Sequence, residues 1–216
     1  MPHQNRVDPL GQLHAVSAKG AFLGNRGILH NDQQEIVAQW RSKAWITCQL
    51  EFKGREIRVK GEESRVFAQD SYSELFFLDE ATAFSAGHRP CAECRRDRFN
   101  EFKAAWIESN REILLAENPA IAEIDKIIHA ERVAEGKRKR TYDAQAGSLP
   151  AGTIIEAEGK ALLVWRGKLL PWSFVGYGRS QALVSPSTLV QVLSPASVVR
   201  VFAPGFTPQV HVSAYS

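Results

Sequence analysis

Two of the three cysteines in this 216-residue chain stand in one unit, Cys91-Ala92-Glu93-Cys94, directly after Gly87-His88-Arg89-Pro90. Thiolates two residues apart can grip one tetrahedral zinc ion from a knuckle turn, and Pro90 fixes φ just before the first sulfur. One such unit is half of a zinc site, so the rest of the fold must bring further ligands to it. A thioredoxin-like redox pair is the competing use, but that pair normally follows a strand and opens a helix in a βαβ unit, whereas here a short helix is predicted before it. Cysteines without a metal are the third use. The odd cysteine count argues against a disulfide-stapled secreted scaffold. No run approaches the ~18 apolar residues of a membrane helix, and the N-terminus MPHQNRVDPLGQLHAV has no signal-peptide core, so a cytoplasmic protein with no membrane partner is expected.

Around the knuckle the pattern predicts an α+β fold: a small antiparallel sheet with the knuckle and helices, then a mainly β C-terminal domain. Residues 1–22 read as an arm. A zinc module with a helical extension is expected over 23–145, and a small β domain over 146–216. Ala44 to Val59 shows two β-rich runs about Lys53-Gly54-Arg55, a hairpin with Cys48 on its inward face. A strand at Ser73 to Leu78 leads to Asp79, a good N-cap for a short helix that Gly87 ends. Phe99, Phe102, Trp106 and Ile113 place a helix straight after the knuckle. Asn118-Pro119 is expected to open the next helix and Gly136 to close it. After Gly147, Gly-punctuated strands run to Trp172, followed by a strand at Thr188 to Leu193 and a short helix at Ser197 to Ala203.

The run Ser73 to Arg96, SELFFLDEATAFSAGHRPCAECRR, resembles the second half of the zinc-binding domain of the Ada-type methyl-phosphotriester repair proteins, with His88 where that family has an aromatic residue. The resemblance implies that Cys91 and Cys94 are two of four zinc ligands. It also implies a Cys-x-x-x-Cys pair about 25 residues upstream, but Lys60 to Gln69 holds neither cysteine nor histidine. The family's methyl-accepting cysteine belongs to that pair, so methyl transfer is not expected. The chain as a whole is similar to a set of uncharacterised bacterial proteins that share a GNRG-x-LH start, a GHRPC core and an HAER segment.

The remaining ligands of a zinc ion must come from Cys48, His30, His88 or His129, and Cys48 and His30 are the favoured pair. Cys48 lies on the hairpin's inward face, and His30 follows the turn-rich segment Gly24 to Leu29. His129-Ala130-Glu131 and Pro90-Cys91-Ala92-Glu93-Cys94 together contain both halves of the zinc-deaminase signature, in reversed order. His129 and Glu131 are therefore the candidate catalytic pair of a zinc-dependent hydrolase, deaminase or nuclease. Helix geometry opposes the pair, because residues two apart point about 200° away from each other.

Charge favours a different partner. The whole chain carries +3, yet Arg132, Lys137, Arg138, Lys139 and Arg140 against Glu135 put +4 into nine residues. A helix C-terminus favours such charge by itself, and so does DNA or RNA, whose condensed counterions lysine and arginine release. Arg95 and Arg96 beside the knuckle would extend the same surface. Trp165, Trp172, Phe174 and Tyr177 are expected to be the core of the C-terminal domain. The function expected is thus that of a zinc-binding protein, nucleic-acid-binding or associated with DNA repair.

Overall fold

The computed structural model describes residues 2–53, 55–56, 66–114 and 116–216. The end of the expected hairpin, from Ile57 to Val59, lies outside these residues, as does Lys60 to Arg65 upstream of the knuckle. In chain order the strands of the first half are β1 (Arg6–Val7), β2 (Leu13–His14), β3 (Phe22–Asn25), β4 (Ile46–Cys48), β5 (Glu51–Phe52), β6 (Arg55–Glu56), β7 (Leu75–Phe77) and β8 (Arg89–Pro90). Six of them form one sheet in the order β2-β1-β7-β3-β4-β8. The α+β class is as expected. Within this sheet, however, β1 runs parallel to β7 and β4 parallel to β8, so the sheet is mixed. The segment read as an arm supplies two of its strands. The hairpin about Lys53 is only β5 and β6, while Cys48 sits on β4, inside the larger sheet between β3 and β8.

The second half contributes β9 (Tyr142–Gln145), β10 (Ile154–Ala157), β11 (Lys160–Trp165), β12 (Lys168–Ser173), β13 (Gly176–Tyr177), β14 (Gln181–Ala182) and β15 (Leu189–Val192). They form an antiparallel sheet in the order β13-β12-β11-β10-β15-β9, with β14 beside β12. Because β9 pairs with β15, the second sheet begins before residue 145. Trp165 and Tyr177 are buried in it, as expected of core aromatics.

Among the described residues, four α-helices lie among these sheets: α1 (Glu80–Ser85), α2 (Arg96–Ser109), α3 (Ile121–Arg132) and α4 (Ala196–Phe202). Asp79 caps α1 by accepting from Thr82 N–H at 2.8 Å, and Gly87 follows its end with φ +88°. A side chain at Gly87 would be strained there and would also meet Arg132 Cδ at 2.2 Å. α3 starts later than its Asn118-Pro119 signal, with Ala120 at the cap, and ends at Val133, before Gly136. Phe102 and Trp106 of α2, Ile124 and Ile128 of α3, and Val198, Val201 and Phe202 of α4 interlock at i, i+3 and i, i+4 spacings into one apolar cluster.

Every residue of α1 is buried, because the helix is packed on three sides. Ala81 enters the core of the second sheet, Phe84 the helical cluster, and Ala83 the core of the first sheet. Alanines at two of these positions let all three layers approach the helix closely. Its acidic start is buried as well. Glu80 accepts from Arg95 at 2.6 Å and Arg98 at 2.7 Å, both just beyond the knuckle, and from Gln209 N–H at 2.8 Å. Glu80→Gln takes the counter-charge from the buried Arg95 and leaves Arg98 with only the exposed Glu101. The expected cost is about 3–5 kcal/mol in urea unfolding, against at most about 1 kcal/mol for the exposed Glu101→Gln. Equal effects of the two changes would contradict this reading of the ion pairs.

Candidate metal centre

The register of β4 on β8 pairs Ile46 with Arg89 and Thr47 with Pro90, so the next step along both strands sets Cys48 beside Cys91. Cys91 N–H donates to the Thr47 carbonyl at 2.9 Å, after which the chain turns and Arg95 N–H closes back on the Cys91 carbonyl at 3.2 Å. That turn swings Cys94 round to the same point. The three sulfurs lie within 4.8 Å of one another, next to a small cavity of about 190 Å³ also lined by Asn25, Phe52 and Tyr72. Sulfurs bound tetrahedrally at ~2.3 Å from one zinc stand about 3.8 Å apart, so the cluster needs only slight contraction to hold the ion.

The surrounding backbone suits thiolates. Glu93 N–H points at Cys91 Sγ and Gln49 N–H at Cys94 Sγ, both at 3.4 Å. Hydrogen bonds from the Cys48 and Cys94 thiols and from nearby N–H groups hold Cys91 well below the usual thiol range. Cys48 is pushed up, first by its hydrogen bond to Cys91 and then by burial. Cys48 and Cys94 thus both donate toward Cys91. A metal ion would replace those shared protons and ionise all three. Among the described residues, this is the one group of cysteine, histidine or carboxylate side chains gathered for a metal.

His30 is elsewhere. Its Nδ1 meets Ser73 Oγ at 2.6 Å, its Nε2 faces the Ala68 carbonyl at 3.3 Å, and its ring stacks on Phe67. Both nitrogens have partners, so His30 pins the loop before β7 and is no ligand in this arrangement. His88 is also no ligand: it is buried between Phe77 and Trp45, and its Nε2 accepts from Arg26 Nε at 3.1 Å. The ring packs as an aromatic while supplying an acceptor that a phenyl ring lacks.

His129 and Glu131 diverge, as helix geometry requires, and neither joins the cysteines. His129 Nδ1 accepts from Arg132, with the ring edge-on to Trp40 and Trp45. Glu131 accepts from Ser197 N–H and its hydroxyl, holding the start of α4. These residues therefore do not form the catalytic pair that the split deaminase signature suggested.

The cations expected to face nucleic acid separate into two groups. Arg95 is buried on Glu80, which removes it from the surface, while Arg96 is exposed. In the tract, Gly136 and Lys137 have φ of 70° and 62°, and the loop closes through Ala134 N–H to the Arg138 carbonyl. The chain beyond is extended, so side chains alternate. Arg138 and Arg140 are exposed, whereas the Lys139 ammonium turns inward and donates to the Ser85 carbonyl. What sequence reasoning missed is the burial of Arg26 and of Arg132, the latter counted with the basic tract; both lie over Trp45, at 4.0 and 3.7 Å from its ring centre. They stand in the GNRG and HAER segments, and what hid them is that an arginine in a polar run is ordinarily solvated.

Comparison with known protein families, with curated proteins and with solved structures finds no match for this chain.

Burial, reinforced by Arg26 and Arg132, lowers the pKa of His88 well below 6.5, and burial with Arg132 and Lys43 lowers that of His129 to about 4. Between these folded-state values and 6.5 the unfolded chain binds more protons than the native one, so stability should fall as pH drops through that window. Urea midpoints measured from about pH 7 down to about pH 4 check this, with a shallower decline expected for His129→Gln. A flat profile would refute the neutral assignment of both rings.

Proposed function

We propose that this chain is a zinc protein in which Cys48, Cys91 and Cys94 hold one ion, with a nucleic acid as its partner. The observation that carries the reading is the convergence of three sulfurs from β4 and the knuckle, each half-buried and two of them receiving backbone N–H groups. The fourth zinc position falls to a water or to a ligand outside the trio. A zinc ion there ties β4 to the turn after β8, and so helps hold Arg95 and Arg98 over Glu80. A fourth ligand from the protein would close the site and make the ion structural, whereas a water there would leave it open to chemistry; we read it as structural because neither His129 nor Glu131 stands beside the trio. The nucleic-acid part rests on the exposed Arg96, Lys137, Arg138 and Arg140, which can neutralise phosphates irrespective of base sequence.

Protein purified without added zinc should carry about one zinc per chain, and Cys48→Ser or Cys91→Ser should lose most of it together with melting temperature. Zinc content near zero in the wild-type protein would remove the metal reading. For the second part, Lys137→Glu, Arg138→Glu and Arg140→Glu should weaken binding to unrelated DNA or RNA sequences alike. Each lost duplex contact should flatten the salt dependence by ~0.9 in slope. Failure to bind any nucleic acid at low salt would remove that part and leave the metal site standing.

A further inference from the structure

A larger cavity, about 630 Å³, lies between the N-terminal segment, the Ile36 to Trp45 loop and the chain from Arg132 to Thr141. Among the described residues, its walls include five cations, Arg26, Arg132, Lys137, Arg138 and Lys139, and not one carboxylate. Two of these cations are 1% and 3% exposed, namely Arg26 and Arg132. Elsewhere this protein pairs its buried arginines with acids: Arg89 lies on Asp125 at 2.8 Å and Arg95 on Glu80. Here it does not. Arg26 donates to His88 and the Gly11 carbonyl, and its Nη2 has no partner. Arg132 donates to the Gly87 and Lys43 carbonyls and to His129, and its Nε has none. Among the described residues, no carboxylate comes within ion-pair distance of Arg26, Arg132 or Lys139.

Several buried cations side by side cost several kcal/mol each unless a counter-charge joins them. The acids whose charge reaches these cations lie outside ion-pair distance and are engaged elsewhere: Asp8, which acts on Arg26 and Lys139, is occupied by Gln12 N–H and His14, and Asp125, which acts on Arg132, is held by Arg89. The faces of Trp45 offset part of the charge, since each guanidinium lies over the ring. The half-buried Trp40 beside it offers a further aromatic surface, with Lys137 Nζ at 5.8 Å from its ring centre. A built cleft with unpaired guanidinium donors and, among the described residues, no acid in its walls suits an anion. Planar donor forks and an adjacent indole match phosphate next to a base.

We propose that this cleft binds the phosphate of a nucleotide, with the base beside Trp40. The proposal deepens the nucleic-acid reading, with which it shares Lys137 and Arg138, and it does not depend on zinc. The phosphate can belong to a free nucleotide or to the end of a strand, and the cleft's volume admits a nucleotide-sized ligand. Burial lowers the Arg26 pKa to about 9 and that of Lys139 to about 7, as is usual for cations held ready without their counter-charge.

Calorimetric titrations with inorganic phosphate, a nucleoside monophosphate, and a short oligonucleotide with and without its 5′ phosphate test this. They are run on the wild-type protein, Lys139→Met and Lys137→Ala. Lys139→Met should change the urea midpoint little, since it removes a part-buried charge with no acid partner together with one hydrogen bond to the Ser85 carbonyl. It should nevertheless weaken phosphate-ligand binding by about tenfold or more. Tighter binding of the 5′-phosphorylated strand, lost in Lys139→Met, supports the proposal with a strand end as the source. Tight binding of the monophosphate, with no advantage for the strand, supports it with a free nucleotide. Oligonucleotide binding indifferent to the terminal phosphate and to Lys139→Met would overturn the cleft proposal while the surface reading stands. No binding of any probe would overturn both.

Discussion

The fold is organised by two adjacent carboxylates that have no access to water. Asp79 and Glu80 open α1 at the point where the first sheet, the second sheet and the helical cluster meet. Asp79 takes the cap of the helix and, in addition, Tyr177 Oη at 2.7 Å and His211 N–H at 3.0 Å. Glu80 takes Arg95, Arg98 and Gln209. A buried charge tolerates no missing partner, so each of these donors is held where it is by the cost of its absence. The knuckle is thereby oriented from behind. Arg95 follows Cys94 directly, and its anchorage in Glu80 determines where the second sulfur of the pair can point.

What the sequence disclosed and what it concealed divide along the range of the interactions. Asp79 as a cap, Gly87 as a stop and the strands after Gly147 are local signals, read within a few residues, and they appear where expected. The parallel pairing of β4 with β8 joins residues over forty apart and leaves no periodic trace, which is why Cys48 looked like part of a hairpin although its inward position beside the knuckle was legible. β1 and β2 have two residues each, too short for any alternation to show. His30 sat in the right sort of turn, but nothing in its neighbours revealed that Ser73 would take its ring nitrogen. The start of α3 was misplaced because Asn118-Pro119 is a good local signal that tertiary packing overrode by two residues.

The buried arginines show a different limit. Composition scales treat arginine as a surface residue, and the two that line the large cleft are hidden in segments that otherwise read as polar turn and helix end. Their burial becomes sensible only alongside Trp45, over whose ring both lie, and His88, whose neutral ring accepts from one of them. Sequence inspection finds such a group only when one asks which cations lack an acid, and that is a question about three dimensions. The same logic explains the alternation at Arg138, Lys139 and Arg140, where a run that looked uniformly basic sends one charge inward and two outward.

The dependence of Asp79 and Glu80 on Tyr177, Gln209 and His211 has a consequence for how the chain is made. α1 leaves the ribosome well before these partners do, so for much of synthesis its two carboxylates face solvent and the three layers around it have nothing to close upon. The first sheet and the knuckle can form locally, yet the junction is completed only once the residues near 211 arrive. Assembly of the interior is thus gated by residues about 130 positions downstream of α1, and a nascent chain stalled short of them would hold its cysteines together less firmly.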